Sequence, residues 1–186
     1  KDERVRQVSW SRAYLAPSYL AGDTQYADPL QVLAELFGGG VNSRLYQALV
    51  LDKQLATGAG ADYEPGMRDL STFGVAASLR PDAKVADLEA AIDAELRRLV
   101  ENGVTDAEVQ RAKDRMVEAA GYARDSLQGG ARAIGEALAT GYGVDKVETW
   151  PQRIAAVTTA QVNEAARAIL REERSVTSVL SPKPAS

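Results

Sequence analysis

The chain has 186 residues, 45% hydrophobic and 26% charged, and its 22 basic and 26 acidic side chains leave a net charge of -4. That length supports one well-cored domain or two very small ones, and the acidic balance argues against a general nucleic-acid surface, which needs a basic face to displace counterions. With no Cys and no His, the chain itself offers no disulfide framework, thiol nucleophile, imidazole base or ordinary zinc ligand set.

No segment approaches the ~20 apolar residues that span a bilayer, so no membrane span is expected. The sequence opens "KDERVRQVSW", without Met or a signal-peptide pattern, which suits a processed chain or an excised domain. The compartment is not legible.

In chain order, "VRQVSWSRAYLAP" alternates apolar and polar residues through Val5, Val8, Trp10 and Tyr14, and Pro17 closes it. This reads as a strand. "DPLQVLAELFGGG" then places Leu30, Leu33, Ala34 and Phe37 at helical spacing. Asp28 is the expected cap, Pro29 the first helical residue and Gly38 the stop. Ser43 caps a second short helix, "RLYQALVLDKQL", with Leu45, Leu49 and Val50 turned inward. "ATGAGADYEP" and "LSTFGVAASLRP" read as two strands, joined by a hairpin connection through "EPGMRD".

From Lys84 the period becomes helical. "AKVADLEAAIDAELRRLVENG" repeats Val85, Leu88, Ile92, Leu96 and Leu99, and Gly103 ends it. Thr105 followed by Glu108 is a capping box for the next helix. "LQGGARAIGEALATGYG" is helical and rich in small residues, "VDKVETWPQRIAAV" carries Pro151, and Thr158 or Thr159 caps "AQVNEAARAILRE". "SVTSVLSP" is a β-branched run suited to rejoin the sheet. The order predicts an α+β fold: a largely antiparallel sheet with helices packed on one face. There is no linker and no internal repeat, so residues 1–186 are expected to form a single domain.

The triplet Gly38, Gly39 and Gly40 follows a helix, whereas a phosphate-binding loop follows a strand and, in a P-loop, ends Gly-Lys-Ser/Thr. Ser43 is followed by Arg44, and no Lys precedes it. A C-cap with an interhelical turn needs only one glycine, so a flexible peptide-contacting loop with free backbone N–H groups stays open beside the plain turn. The carboxylate pairs Asp82/Asp87, Glu89/Asp93 and Glu172/Glu173 read as solvated faces. Tyr122 and Tyr142 read as caps on the core, and Trp150 as a packed anchor at a helix start.

"LFGGGVNSRLYQALVLDKQLATGAGADYEP", "TFGVAASLRP" and "GVTDAEVQRAKDRM" together resemble the C-terminal-type domain of the insulinase, pitrilysin and mitochondrial processing peptidase family of zinc metallopeptidases. The resemblance spans nearly the whole chain, and its most specific part is the glycine turn leading into Ser43-Arg44-Leu45-Tyr46. It implies one half of a clamshell in which another domain carries zinc on His-Xaa-Xaa-Glu-His, with Glu as general base. This chain has no His, so that motif lies upstream, on a partner, or nowhere in the assembly.

In the family the non-zinc half often supplies an Arg and, seven residues on, a Tyr that steady the developing oxyanion. The matching positions here are Val50 and Thr57, neither of which has the needed side chain. No catalytic residue is therefore assigned. The resemblance implies that this chain closes the substrate chamber and contacts peptide through Gly38, Gly39, Gly40, Ser43 and Arg44, and is inactive alone. It implies zinc in the parent or partner domain, no metal here, and a homo- or hetero-dimer in the intact protein. The alternative is a non-catalytic scaffold or assembly subunit of the same fold.

Overall fold

The computed structural model describes residues 1–2, 4–124 and 127–183. Strand β1 (Ser9–Ala16) leads through a loop and a 3₁₀ turn into helix α1 (Ala27–Gly38) and then α2 (Arg44–Tyr46). The latter continues as a π-helix over Gln47–Asp52. Strands β2 (Ala56–Tyr63) and β3 (Ser71–Leu79) form the expected antiparallel pair. Helices follow: α3 (Val85–Asn102), α4 (Asp106–Arg124), α5 (Leu127–Thr140), α6 (Val144–Glu148), α7 (Trp150–Ala156) and α8 (Thr159–Ile169). Strand β4 (Ser175–Leu180) returns to pair antiparallel with β1, giving the sheet order β2-β3-β1-β4. The α+β class, the antiparallel sheet and its one-sided helical cover all match the sequence reading.

Alternation along the strands decides which face is covered. Trp10, Tyr14 and Ala16 of β1, and Phe73, Val75, Ala77 and Leu79 of β3, are buried beneath α1, α3 and α8. Leu88, Ile92, Leu96 and Leu99 supply the α3 stripe, and Gly103 ends that helix at φ +72°. Among the described residues no helix covers the opposite face. Its outward positions are Ser11, Ala13 and Leu15 on β1, Thr72, Gly74 and Ala76 on β3, and Val176, Ser178 and Leu180 on β4. On β2 it shows Gly58, Gly60 and Asp62. Asp62 is the only charged residue among these outward positions, and Leu15 and Val176 are 63% and 73% exposed.

Several local expectations change. Helix α1 begins at Ala27, with Tyr26 as its N-cap and no side-chain cap. The 3₁₀ turn Thr24–Tyr26 runs straight into the helix, and Ala27 N–H bonds Thr24 C=O, so Asp28 is released from capping. It instead accepts from Tyr19 Oη (2.9 Å) and pairs with Arg153. Thr158, not Thr159, caps α8, in a full box with Gln161.

Glu89 and Asp93 are not simply a solvated face. They flank Arg12, which the β1 alternation buries: Arg12 Nη1 lies 2.6 Å from Asp93 Oδ1, and its Nε donates to Thr177 Oγ1 at 2.7 Å. Trp10 Nε1 donates to Glu89, and the guanidinium sits 5.0 Å from the Trp10 ring. A buried guanidinium needs this full complement of partners. Tyr122 does not cap the core, being 71% exposed at the end of α4. Tyr142 does pack, tilted against Tyr19 at 5.4 Å, and Trp150 is part-buried with Nε1 bonded to Gln31 Oε1.

Candidate functional site

Each glycine of the triplet has its own structural reason. Gly38 is the last residue of α1, buried against β2: a Cβ there would fall 2.6 Å from Ala61 Cα and closer still to Ala61 N. Helix and strand backbones touch at this point, which only glycine permits. Gly39 is the C-cap, its N–H bonding Glu35 C=O at 2.8 Å. Gly40 turns the chain at φ +87° with open space around it. The turn closes when Ser43 N–H bonds Gly40 C=O at 3.1 Å, and Gln47 Nε2 bonds Val41 C=O at 2.7 Å. Gly40, Val41 and Asn42 are exposed, and among the described residues the N–H groups of Val41 and Asn42 have no partner.

Ser43 and Arg44 are engaged within the fold. The Ser43 side chain is buried and caps α2, its Oγ accepting from Tyr46 N–H at 3.4 Å. Arg44 forks onto Glu108, Nε to Oε1 at 2.7 Å and Nη2 to Oε2 at 2.8 Å, and Nη2 also donates to Gly103 C=O. Glu108 simultaneously closes the capping box with Thr105 N–H at 2.8 Å. The Arg44 bond first, reinforced by Thr105, pulls the Glu108 carboxyl down to about 2. The two side chains fix the turn against the start of α4, and the exposed backbone between Gly40 and Asn42 is the part open to a ligand.

Val50 and Thr57 lie on irregular backbone on either side of the entry to β2. Val50 is half-buried on the π-helix, where Lys53 N–H bonds Ala48 C=O five residues back. Gln54 follows in the left-handed region at φ +53°. Thr57 sits in a β-bulge: Ala56 pairs with Leu79 and Gly58 with Ser78, leaving Thr57 as the extra residue. Its Oγ1 accepts from Gln7 Nε2 at 2.6 Å. Val50 has no hydrogen-bonding side chain, and Thr57 is committed to its own sheet edge. Both features escape a reading by period, although π-turns and bulges gather at functional sites. β2 itself is an outer strand of the sheet, so one edge of its backbone is free to pair with an extended chain.

Among the described residues no group of three or more Asp and Glu side chains is placed to hold a metal ion. No helix there is long and apolar enough to cross a membrane.

A family model described as the peptidase M16 inactive domain matches residues 1–116, more than half of the chain. The chain belongs to that family. The match covers the glycine turn, both irregular segments, the β2–β3 pair and the Arg44–Glu108 bond. A comparison with curated proteins by sequence returns no match.

Solved structures extend the likeness over the remaining helices of this M16 inactive domain. A protease from Helicobacter pylori superposes with a TM-score of 0.87 at 23% identity, over 98% of this chain and 42% of that one. This chain thus spans less than half the length of that protein. The inactive peptidase domain of a zinc-protease candidate from Bordetella parapertussis gives 0.85 at 20% identity, over 98% of this chain and 97% of that one. A chain of complex III2 from Candida albicans gives 0.77 at 18% identity, over 96% and 43%. At these identities the structural likeness establishes the fold alone.

Proposed function

We propose that this M16 inactive domain is the non-zinc half of a zinc metallopeptidase, closing the substrate chamber and contacting the peptide while another domain or subunit supplies zinc. The observation that carries the reading is the uncovered sheet face. An antiparallel sheet facing water normally shows polar residues there, yet these outward positions hold one charge, Asp62, among glycine, alanine, serine and exposed Leu15, Val176 and Leu180. Such a face suits cover by a second domain. The absence of His and Cys from the sequence supports zinc being held elsewhere, on the partner half.

Peptide contact belongs, on this reading, to the glycine turn and the free edge of β2. Unpaired N–H groups at Val41 and Asn42 are suited to carbonyl oxygens of an extended chain, and a strand edge takes such a chain by pairing. Gly38 and Gly39 set the course of the turn, Gly40 exposes it, and Ser43 with Arg44 holds it in place. Val50 and Thr57 contribute no oxyanion donor, so that chemistry comes from the partner or is absent.

A second reading, a scaffold subunit without peptidase activity, is favoured by those same two positions. The likeness in fold to a complex III2 chain is consistent with it.

Val176→Glu tests the docking face in the full-length parent. The side chain is largely exposed, so the domain is expected to fold with an unchanged circular dichroism spectrum. Association with the zinc-bearing half, measured by sedimentation or by loss of interdomain protection in hydrogen exchange, is expected to weaken. Unchanged association and unchanged protection of this face would show that nothing docks there.

A further inference from the structure

A cleft of about 590 Å³ is lined by residues of α1, α4, α5, α6 and α7 and of the loops carrying Tyr19 and Glu64. Its volume is that of a small-molecule site. Tyr19, Tyr142 and Trp150 give it aromatic walls, and glycine and alanine residues of α5 leave room along one side. The floor is fixed by a hydrogen-bonded set. Tyr19 Oη donates to Asp28, Gln31 Nε2 donates to Tyr19 Oη at 2.8 Å, and Trp150 Nε1 donates to Gln31 Oε1 at 2.9 Å. Arg153 grips both Asp28 oxygens at 2.7 and 2.6 Å and stacks on Tyr19 at 4.9 Å.

We propose that this cleft binds an organic cation, an alkylammonium or alkylguanidinium group on an apolar stem. The lining charges favour this class over an anion. Among the described lining residues the cationic side chains are Arg153, which is paired with Asp28, and Lys146, which is at the exposed rim. Glu64 and Glu136 also line the cleft. Glu64 makes no ion pair among the described residues, its Oε1 accepting only from Gly66 N–H, and Glu136 has an exposed partner in Arg132. Glu64 Oε1 and the Tyr142 hydroxyl both border Gly66, which puts this carboxylate beside that ring, and burial first, then Glu64 and Glu136, raises the Tyr142 phenol. A cation entering there meets aromatic faces and a carboxylate together, the combination that binds ammonium and guanidinium groups. The apolar stem then lies along the α5 wall. Nothing in this site depends on the peptidase reading.

The group has two natural sources, a basic side chain of a polypeptide or a free amine or guanidine, and the experiment separates them. The full-length protein carries two Trp in this domain, of which Trp10 is fully buried. The indole N–H signals are followed in a ¹H–¹⁵N spectrum during titration with agmatine, an acetylated Ala-Arg-Ala amide, and the same peptide with neutral citrulline. The Trp150 signal is expected to shift saturably with agmatine, with the Arg peptide, or with both, while Trp10 stays fixed. The peptide alone assigns the source to polypeptide, and agmatine alone to a free guanidine. Glu64→Gln keeps the acceptor for Gly66 and is expected to weaken binding about threefold, on the scale of an exposed ion pair. Tyr142→Leu is expected to weaken it about three- to tenfold. No saturable shift of Trp150, or equal binding of the citrulline peptide, would overturn the assignment.

Discussion

Arg44 and Glu108 lie 64 residues apart in sequence and meet in a bidentate pair at 2.7 and 2.8 Å, each side chain about one-fifth exposed. One partner opens the helix after the glycine turn, and the other closes the capping box of α4. The turn is therefore aimed by a charged strut, not only by its glycines.

This pair makes stability depend on acid. The folded carboxyl of Glu108 is held at about 2, below its ordinary 4.5. A depressed carboxylate stabilises fully above the unfolded value and loses that contribution as pH falls toward the folded one. The expected loss is about 2 kcal/mol between about pH 4.5 and 2. Urea unfolding at pH 7, 4.5 and 2.5 measures it. Arg44→Met is expected to lower stability at pH 7 by about 2 kcal/mol and to flatten this acid slope. An unchanged slope in the variant would show that Glu108 is not held by Arg44.

The glycines differ in kind, and alanine substitution separates them. Gly38→Ala forces a Cβ into the Gly60–Ala61 backbone, and is expected to destabilise by at least about 3 kcal/mol. Gly40→Ala meets no atom but must adopt φ +87°, an expected change of about 1 kcal/mol. For a domain of this size each kcal/mol moves the melting temperature about 2–4 °C. Equal effects of the two variants would refute the close helix-strand contact.

Buried Arg12 gives a third expectation. Asp93→Ala removes its closest carboxylate and leaves a cation that is 6% exposed, for an expected loss of about 3 kcal/mol. Arg12→Met together with Asp93→Leu removes charge and counter-charge at once, and is expected to be distinctly less harmful. Thermal unfolding of the two variants side by side decides the order.

How these relationships relate to the sequence depends on their span. The Thr105–Glu108 box, the Ser43 cap and the Gly103 stop were legible because each is a pattern over three or four residues. The strands declared themselves by alternation, although Arg12, which falls on the buried face of β1, was not singled out by it. Its partner Asp93 lies 81 residues away, and nothing local marks Asp93 as different from a solvated carboxylate. The same holds for Glu108 as the partner of Arg44, and for Arg153 as the partner of Asp28. The π-turn under Val50 and the bulge at Thr57 break the helical and strand periods by one residue, so a periodic reading passes over them. The three glycines were legible as a turn. That Gly38 is required by Gly60 and Ala61 was not, because that contact exists only in three dimensions.

The central claim, that peptide hydrolysis needs a zinc-bearing half this chain does not contain, is tested most directly by fluorogenic-peptide cleavage, with zinc content measured on the same samples. The chain alone, the full-length parent, and the parent with its co-purifying partners are compared. Cleavage is expected only where the zinc-bearing half is present, with zinc following that half and none held stoichiometrically by this chain. Cleavage by the chain alone, accompanied by tightly bound zinc, would contradict it.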